Sequence, residues 1–242
     1  YLKKHKDAVL MFYDSEFGSP KTYFTSVGID PNRVIHTPIL NVEQLRHDLS
    51  VQLDGIEKGD KVFILVDSIG NLASKKEMDD AISGKEAADM TRARVIKSFT
   101  RIVTPHLTIK DIPMVMIAHV YKEMALYPKT IVSGGSGILL SSDNLWLITR
   151  AQEKNDKTKE IEGYDFTINV VKSRHVKENS KIPIQVRYDG GINVYSGLLD
   201  MALESGNVIK PKNGYYQVVD METGEVIGDS VKEVKTNTEK FW

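Results

Sequence analysis

Residues 62–68 read VFILVDS: five apolar side chains without a break, then an acid and a hydroxyl. A strand with one wet face alternates polar and apolar residues, so an unbroken run predicts a strand buried on both faces, as in a parallel sheet covered by helices. The same form recurs at Ala8–Tyr13 (AVLMFY), in the short Val34–His36, at Met114–Ala118 (MVMIA) and at Leu145–Thr149 (LWLIT). Phe166–Val171 and Ile182–Tyr188 alternate better and predict antiparallel or half-exposed strands. Helical patterns lie between. Asn41–Gly55 puts Val42, Leu45, Leu49, Leu53 and Ile56 on one face, with Asn41 and Gln44 as a prospective capping box. A second helix is expected over Glu86–Val103, with Val95, Ile96, Phe99, Ile102 and Val103 on its packed side, and a third over Leu198–Ser205, stopped by Gly206. This alternation predicts a doubly wound α/β domain. Residues 151–163 read as a polar loop, and 207–242 as a small, loosely packed extension.

Composition sets outer bounds. The 242 residues are enough for one large α/β domain, or one domain with an appendage. There is no cysteine, which excludes disulfides and thiolate metal sites and makes a reducing, cytoplasmic setting the expectation. No run of about 18 apolar residues occurs that would cross a membrane. The net charge of −1 does not announce a nucleic-acid partner, so phosphate binding would need cations segregated onto one face. The opening YLKKHKD reads as the end of a helix, and the chain is expected to be a piece of something longer.

In open α/β sheets ligands bind at the carboxyl ends of the strands. The first run ends in Asp14-Ser15-Glu16, the run at 62–66 in Asp67-Ser68, and the run at 114–118 in His119. The carboxylates of Glu16 and Asp67 with the imidazole of His119 on one rim make a plausible reaction centre, although polar residues also cap strands wherever water begins. Arg94, Lys97 and Arg101, spaced three and four apart, form one basic stripe, either a solvated face or a phosphate contact. Residues 120–137 have no clean period and read as a long loop. Its Ser133-Gly134-Gly135-Ser136-Gly137 segment is either a hinge or a place where backbone amides approach a ligand. Strand alternation puts Lys172 and Arg174 on one face.

At this point several stretches resemble one family. VLMFYDSEFGSPKTYFTSVGIDPNRVIHTP (9–38) is similar to the segment after the phosphate loop of RecA-family recombinases. VFILVDSIGNLASKKE (62–77) resembles their second nucleotide motif. VVKSR (170–174) and VRYDGGINVYSGLLDMALESGNVIKPKNGYY (186–216) resemble their C-terminal core. The wording is nearest to the T-even phage branch. The resemblance spans roughly Ala8 to Tyr216, with its motifs in the family's order.

The resemblance implies a RecA-like, mostly parallel sheet with antiparallel strands toward the C-terminal end, an ATPase core over 1–206 and an extension over 207–242. It implies an ATP- and Mg²⁺-dependent recombinase that forms helical filaments on single-stranded DNA and exchanges strands with double-stranded DNA, in the cytoplasm of a bacterial host. Recombination mediators and single-strand-binding proteins would be further partners. Glu16 would orient and activate the attacking water; Asp67, with Ser68 beside it, would hold Mg²⁺ through water. Tyr23 would stack on adenine, Pro20 stands where some members have an Asp that reads the base, and Tyr188 would lie near the base. His119 stands where many members have a γ-phosphate-sensing Gln. Lys172 and Arg174 would reach the ATP of a neighbouring subunit. Arg94, Lys97 and Arg101, with Gly134, Gly135 and Ser136, would contact DNA, and a first DNA loop would span about Ser74–Asp89.

One departure stands out: no G-x-x-x-x-G-K-[ST] occurs in the 242 residues. The phosphate loop and its strand are expected to precede this chain, whose own residues should then bind ATP weakly. That strand would lie between those at 113–118 and 144–149, leaving there a gap or a direct pairing. The alternatives are a nucleotide-independent DNA-binding or filament-modulating module, and a RecA-like helicase motor.

Overall fold

A computed structural model describes residues 1–85, 90–124, 126–127, 129–155, 158–236 and 238–242. It contains two compact units, 1–142 and 143–242.

In the first unit β1 (Val9–Asp14), α1 (Lys21–Ser26), β2 (Val34–Pro38), α2 (Val42–Gly55), β3 (Val62–Asp67), α3 (Lys75–Ile82), α4 (Thr91–Lys110) and β4 (Met114–Met116) build a parallel sheet in the order β2-β1-β3-β4. The unbroken apolar runs of β1 and β3 are explained by burial on both sides, whereas the run at 145–149, also expected to be buried on both faces in a parallel sheet, lies in an antiparallel strand with Trp146 and Ile148 each 55% exposed. Met11 and Tyr13 of β1, with Val62, Ile64 and Val66 of β3, face a core made with Val42, Leu45, Leu49 and Leu53 of α2 and Val95, Ile96, Phe99 and Val103 of α4. The alternate residues, Leu10 and Phe12 with Phe63 and Leu65, face a second core with Leu2, Ala8 and Phe24.

Helix α2 begins as its sequence indicates, with Asn41 Oδ1 accepting from Gln44 N at 2.8 Å. The capping box is displaced by one residue, because Gln44 Oε1 accepts from Leu40 N rather than from Asn41 N. Helix α4 runs seven residues beyond the expected end at Val103, through Pro105, and stops at the left-handed Asp111. The expected start at residues 86–89 lies outside the described residues. Ile102 was expected on the packed side but is 40% exposed.

The expected first DNA loop contains α3. Ser74 and Glu77 form a capping box there, which is why residues 75–82 are helical rather than loose. Most of the expected loop at 120–137 is also ordered, as a hairpin of β5 (Val120–Lys122) and β6 (Thr130–Val132) followed by α5 (Ser136–Ser141).

In the second unit β7 (Leu145–Lys154), β8 (Ile161–Lys172), β9 (Lys181–Arg187) and β10 (Gly191–Ile192) form an antiparallel sheet in the order β10-β9-β8-β7. The expected polar loop at 151–163 is largely the ends of β7 and β8; residues 156–157 of it lie outside the described residues. Among the described residues β4 pairs only with β3 and β7 only with β8, so the direct pairing between them is not found. After α6 (Leu198–Ser205), β11 (Val208–Lys212), β12 (Tyr215–Val219) and β13 (Val226–Lys232) make a three-stranded antiparallel sheet. The expected loose extension is therefore a folded sheet. The boundary expected at 206/207 falls inside this unit, where Leu199, Ala202 and Leu203 of α6 pack with Val208, Tyr216 and Val218.

Candidate functional site

The parallel register sets Asp14 beside Asp67 and Val66 beside Met116, so β1, β3 and β4 end on the same rim. Glu16, Asp67, Ser68 and His119 meet there. Ser68 Oγ donates to Glu16 Oε1 at 2.8 Å, and His119 Nε2 lies 3.8 Å from the same oxygen, close but too far for a hydrogen bond. Ser68 is buried, whereas Glu16 and His119 are exposed. Gly70 makes room for His119: a Cβ at Gly70 would lie 2.9 Å from the His119 backbone nitrogen.

Beneath these side chains is a polar frame that sequence reasoning missed. Ser15 Oγ donates to Ser68 O at 2.8 Å and accepts from Ser68 N at 2.9 Å, pinning the ends of β1 and β3 together. Asn71 Nδ2 donates to Ser15 O at 3.4 Å. The buried Asp14 accepts from Glu16 N at 3.0 Å and Phe17 N at 2.8 Å through Oδ1, while Oδ2 lies 3.0 Å from His36 Nε2. Arg92, one residue into α4, donates to the carbonyls of Ile69, Gly70 and Leu72, bracing the segment after Asp67 and Ser68. The signal for Asp14 and Ser15 was their place at the end of an apolar run; nothing in the sequence pattern marked His36 or Arg92.

Burial pushes the Asp67 carboxyl above its ordinary value. The carboxylates of Glu16 and then Asp14 add to the rise, and His119 opposes it. Tyr13, buried and donating to Asp48 Oδ2 at 2.7 Å, is likewise pushed up. A hard cation suits a carboxylate and a hydroxyl in such a place, since it would relieve the crowding of negative charge. Among the described residues no cluster of three or more His, Asp or Glu side chains could hold a metal ion alone. A cation that keeps most of its own waters would find Asp67 and Ser68 as the residues to hold it.

The remaining expected residues are placed as follows. Pro20 is the N-cap of α1, and Tyr23 on that helix is 59% exposed. Arg94, Lys97 and Arg101 form an exposed stripe along α4. Gly134 and Gly135 both have positive φ, Gly135 caps α5, and Ser136 is the first residue of that helix rather than part of a loop. In the second unit Tyr188 is exposed and meets Tyr164 edge-on at 6.1 Å. Lys172 ends β8. Arg174 lies beyond the strand, so alternation no longer governs it; the chain bends and Arg174 Nε pairs with Asp143 Oδ1 at 2.7 Å.

With this geometry in view, comparison with known proteins is informative. Residues 195–242 match the family described as "Bacteriophage T4, Recombination and repair protein, C-terminal domain". The chain is 50% identical over 246 aligned positions to the recombination and repair protein of Enterobacteria phage T4, covering all of this chain and 62% of that protein. It is 21% identical to protein RecA of Acinetobacter baumannii over 94% of this chain and 64% of RecA. It thus spans a little under two thirds of either relative. Among solved structures, that of the RadB recombinase superposes with a TM-score of 0.54 at 12% identity, covering 77% of this chain and 79% of RadB, a likeness of fold alone. Along its whole length this chain is thus similar to the phage T4 recombination and repair protein, its residues 195–242 match that protein's C-terminal domain, and its fold is RecA-like.

Proposed function

We propose that this chain forms the water-activating edge of an ATP-dependent DNA recombinase and acts so in the full-length protein, which works in the cytoplasm of a bacterial host. The observation that carries the reading is the gathering of Glu16, Asp67, Ser68 and His119 at the carboxyl ends of three neighbouring parallel strands. Bound ATP with Mg²⁺ supplies the phosphoanhydride to be broken. Glu16 orients the attacking water with Oε2, its Oε1 being held by Ser68. Asp67 and Ser68 steady the cation's hydration shell. The exposed His119 donates toward the γ-phosphate from beside Glu16.

Tyr23 and Tyr188 offer exposed rings for the base, with Pro20 beside the first. Lys172 and Arg174 serve the nucleotide of the next subunit in a helical filament, and Arg174 must leave Asp143 to do so. Arg94, Lys97 and Arg101, with Gly134, Gly135 and Ser136, face single- and double-stranded DNA. Mediator and single-strand-binding proteins act on the same filament.

The test is Glu16→Ala in the full-length protein. DNA-stimulated ATP hydrolysis should fall by roughly 10²-fold or more, while nucleotide-dependent assembly on single-stranded DNA persists. Undiminished hydrolysis would remove Glu16 from the role, and with it the reading.

A further inference from the structure

Glu16 can orient a water only if its backbone is held still, and it sits in a turn, not in a strand. That turn is strained: Phe17, a bulky residue, has φ 55°, in the left-handed region. What holds it is Asp14, which is 1% exposed and whose Oδ1 accepts from both Glu16 N and Phe17 N. Two amides converging on one oxygen restrain the turn only while the carboxylate cannot rotate about its own bond. His36 supplies that restraint by donating Nε2–H to the other oxygen at 3.0 Å.

The imidazole is itself confined. It is the register partner of Phe12 across β1 and β2, stacks on the Phe12 ring at 5.0 Å and 25°, and meets Phe24 edge-on at 6.4 Å. Its ring plane and reach are therefore set by the core beneath it. The bond needs a proton on Nε2, because the carboxylate oxygen can only accept.

We infer that His36 is a positioning residue for Glu16: it locks the plane of the buried Asp14 carboxylate, and Asp14 locks the turn that presents Glu16 to the attacking water. The inference rests on the proposed role of Glu16. Without the imidazole, Asp14 Oδ2 would lack its donor, the carboxylate would turn, and the strained turn at Phe17 would relax and carry Glu16 away from Ser68. Gln at position 36 restores an N–H near the place of Nε2.

The test uses the full-length protein in two readouts. In hydrogen exchange followed by mass spectrometry, without nucleotide, peptides covering 15–18 should exchange roughly tenfold faster in His36→Ala than in wild type, while peptides of α2 and α4 are unchanged. In DNA-stimulated hydrolysis kcat should fall roughly ten- to a hundredfold with KM within about twofold, and His36→Gln should recover most of the loss. Should His36→Ala fail to fold, His36→Phe carries the same two readouts, because it keeps a ring stacked on Phe12 and removes the donor to Asp14. Wild-type exchange at 15–18, or a His36→Gln protein as impaired as a folded His36→Ala, overturns the inference. If hydrolysis instead survives Glu16→Ala while the exchange effect is present, the functional reading fails and the clamp itself stands.

Discussion

At the scale of single residues, Asp67 shows how the site opposes the fold. Its carboxyl has a folded-state pKa raised above the ordinary 3.8, chiefly by burial and then by Glu16 and Asp14. Below 3.8 both folded and unfolded forms hold the proton and nothing is lost; as pH rises through the higher folded-state pKa, the folded form gives up its proton against resistance and stability declines. Asp67→Asn is therefore expected to melt at a higher temperature than wild type at neutral pH, with the difference vanishing toward pH 3 and shrinking when Mg²⁺ is added. Equal melting temperatures at pH 7 would contradict the crowding described. Glu16, Asp67 and His119 could be read from the sequence because each follows an apolar run. Asp14, Ser15 and His36 act through the lateral register of β1 with β2 and β3, which no single-chain pattern states. Arg92 escaped because helical spacing singled out Arg94, Lys97 and Arg101 and passed over the neighbour that turns inward.

Elements were legible where one pattern ruled. The two-sided runs of β1 and β3 announced parallel strands, and α2 was readable from its stripe and its cap. Patterns failed where short elements are stabilised by local hydrogen bonds or by packing: α3 rests on its capping box, and the β5–β6 hairpin is three residues per strand. Helix α5 was hidden in a glycine-rich stretch because Gly137 was read as freedom, whereas it is a point of close approach. A Cβ there would lie 2.9 Å from Lys97 Cα and 3.1 Å from Lys97 Cβ on α4. Gly137→Ala, normally favourable inside a helix, should here destabilise the first unit by about 1–3 kcal/mol by forcing α5 off α4. Urea unfolding measures this, and a stabilised variant would show that the two helices part without strain.

Considered whole, the chain holds cores of unequal size. The first unit buries its sheet on both sides, while the cluster under β11 and β12 centres on Ala202, Val208 and Tyr216. Calorimetry should resolve two transitions. Leu49→Ala, which empties a fully buried position in the first unit, should lower one of them by about 2–5 kcal/mol and leave the other in place. A single transition that moves as a block would mean the units melt together. Residues 207–242 looked loose in the sequence because their strands alternate over a small core, and the net charge concealed a cationic stripe confined to α4. The margin of the second unit's main sheet has a practical outcome. Over the far half of β7, Arg150, Glu153 and Lys154 discourage a stranger from zipping on, but the near half offers Trp146 and Ile148, each 55% exposed, on a strand that among the described residues pairs on one side only. Concentrated stocks of the isolated chain should thus turn cloudy on standing, and a lysine in place of Trp146 is the remedy to put in the expression plasmid first.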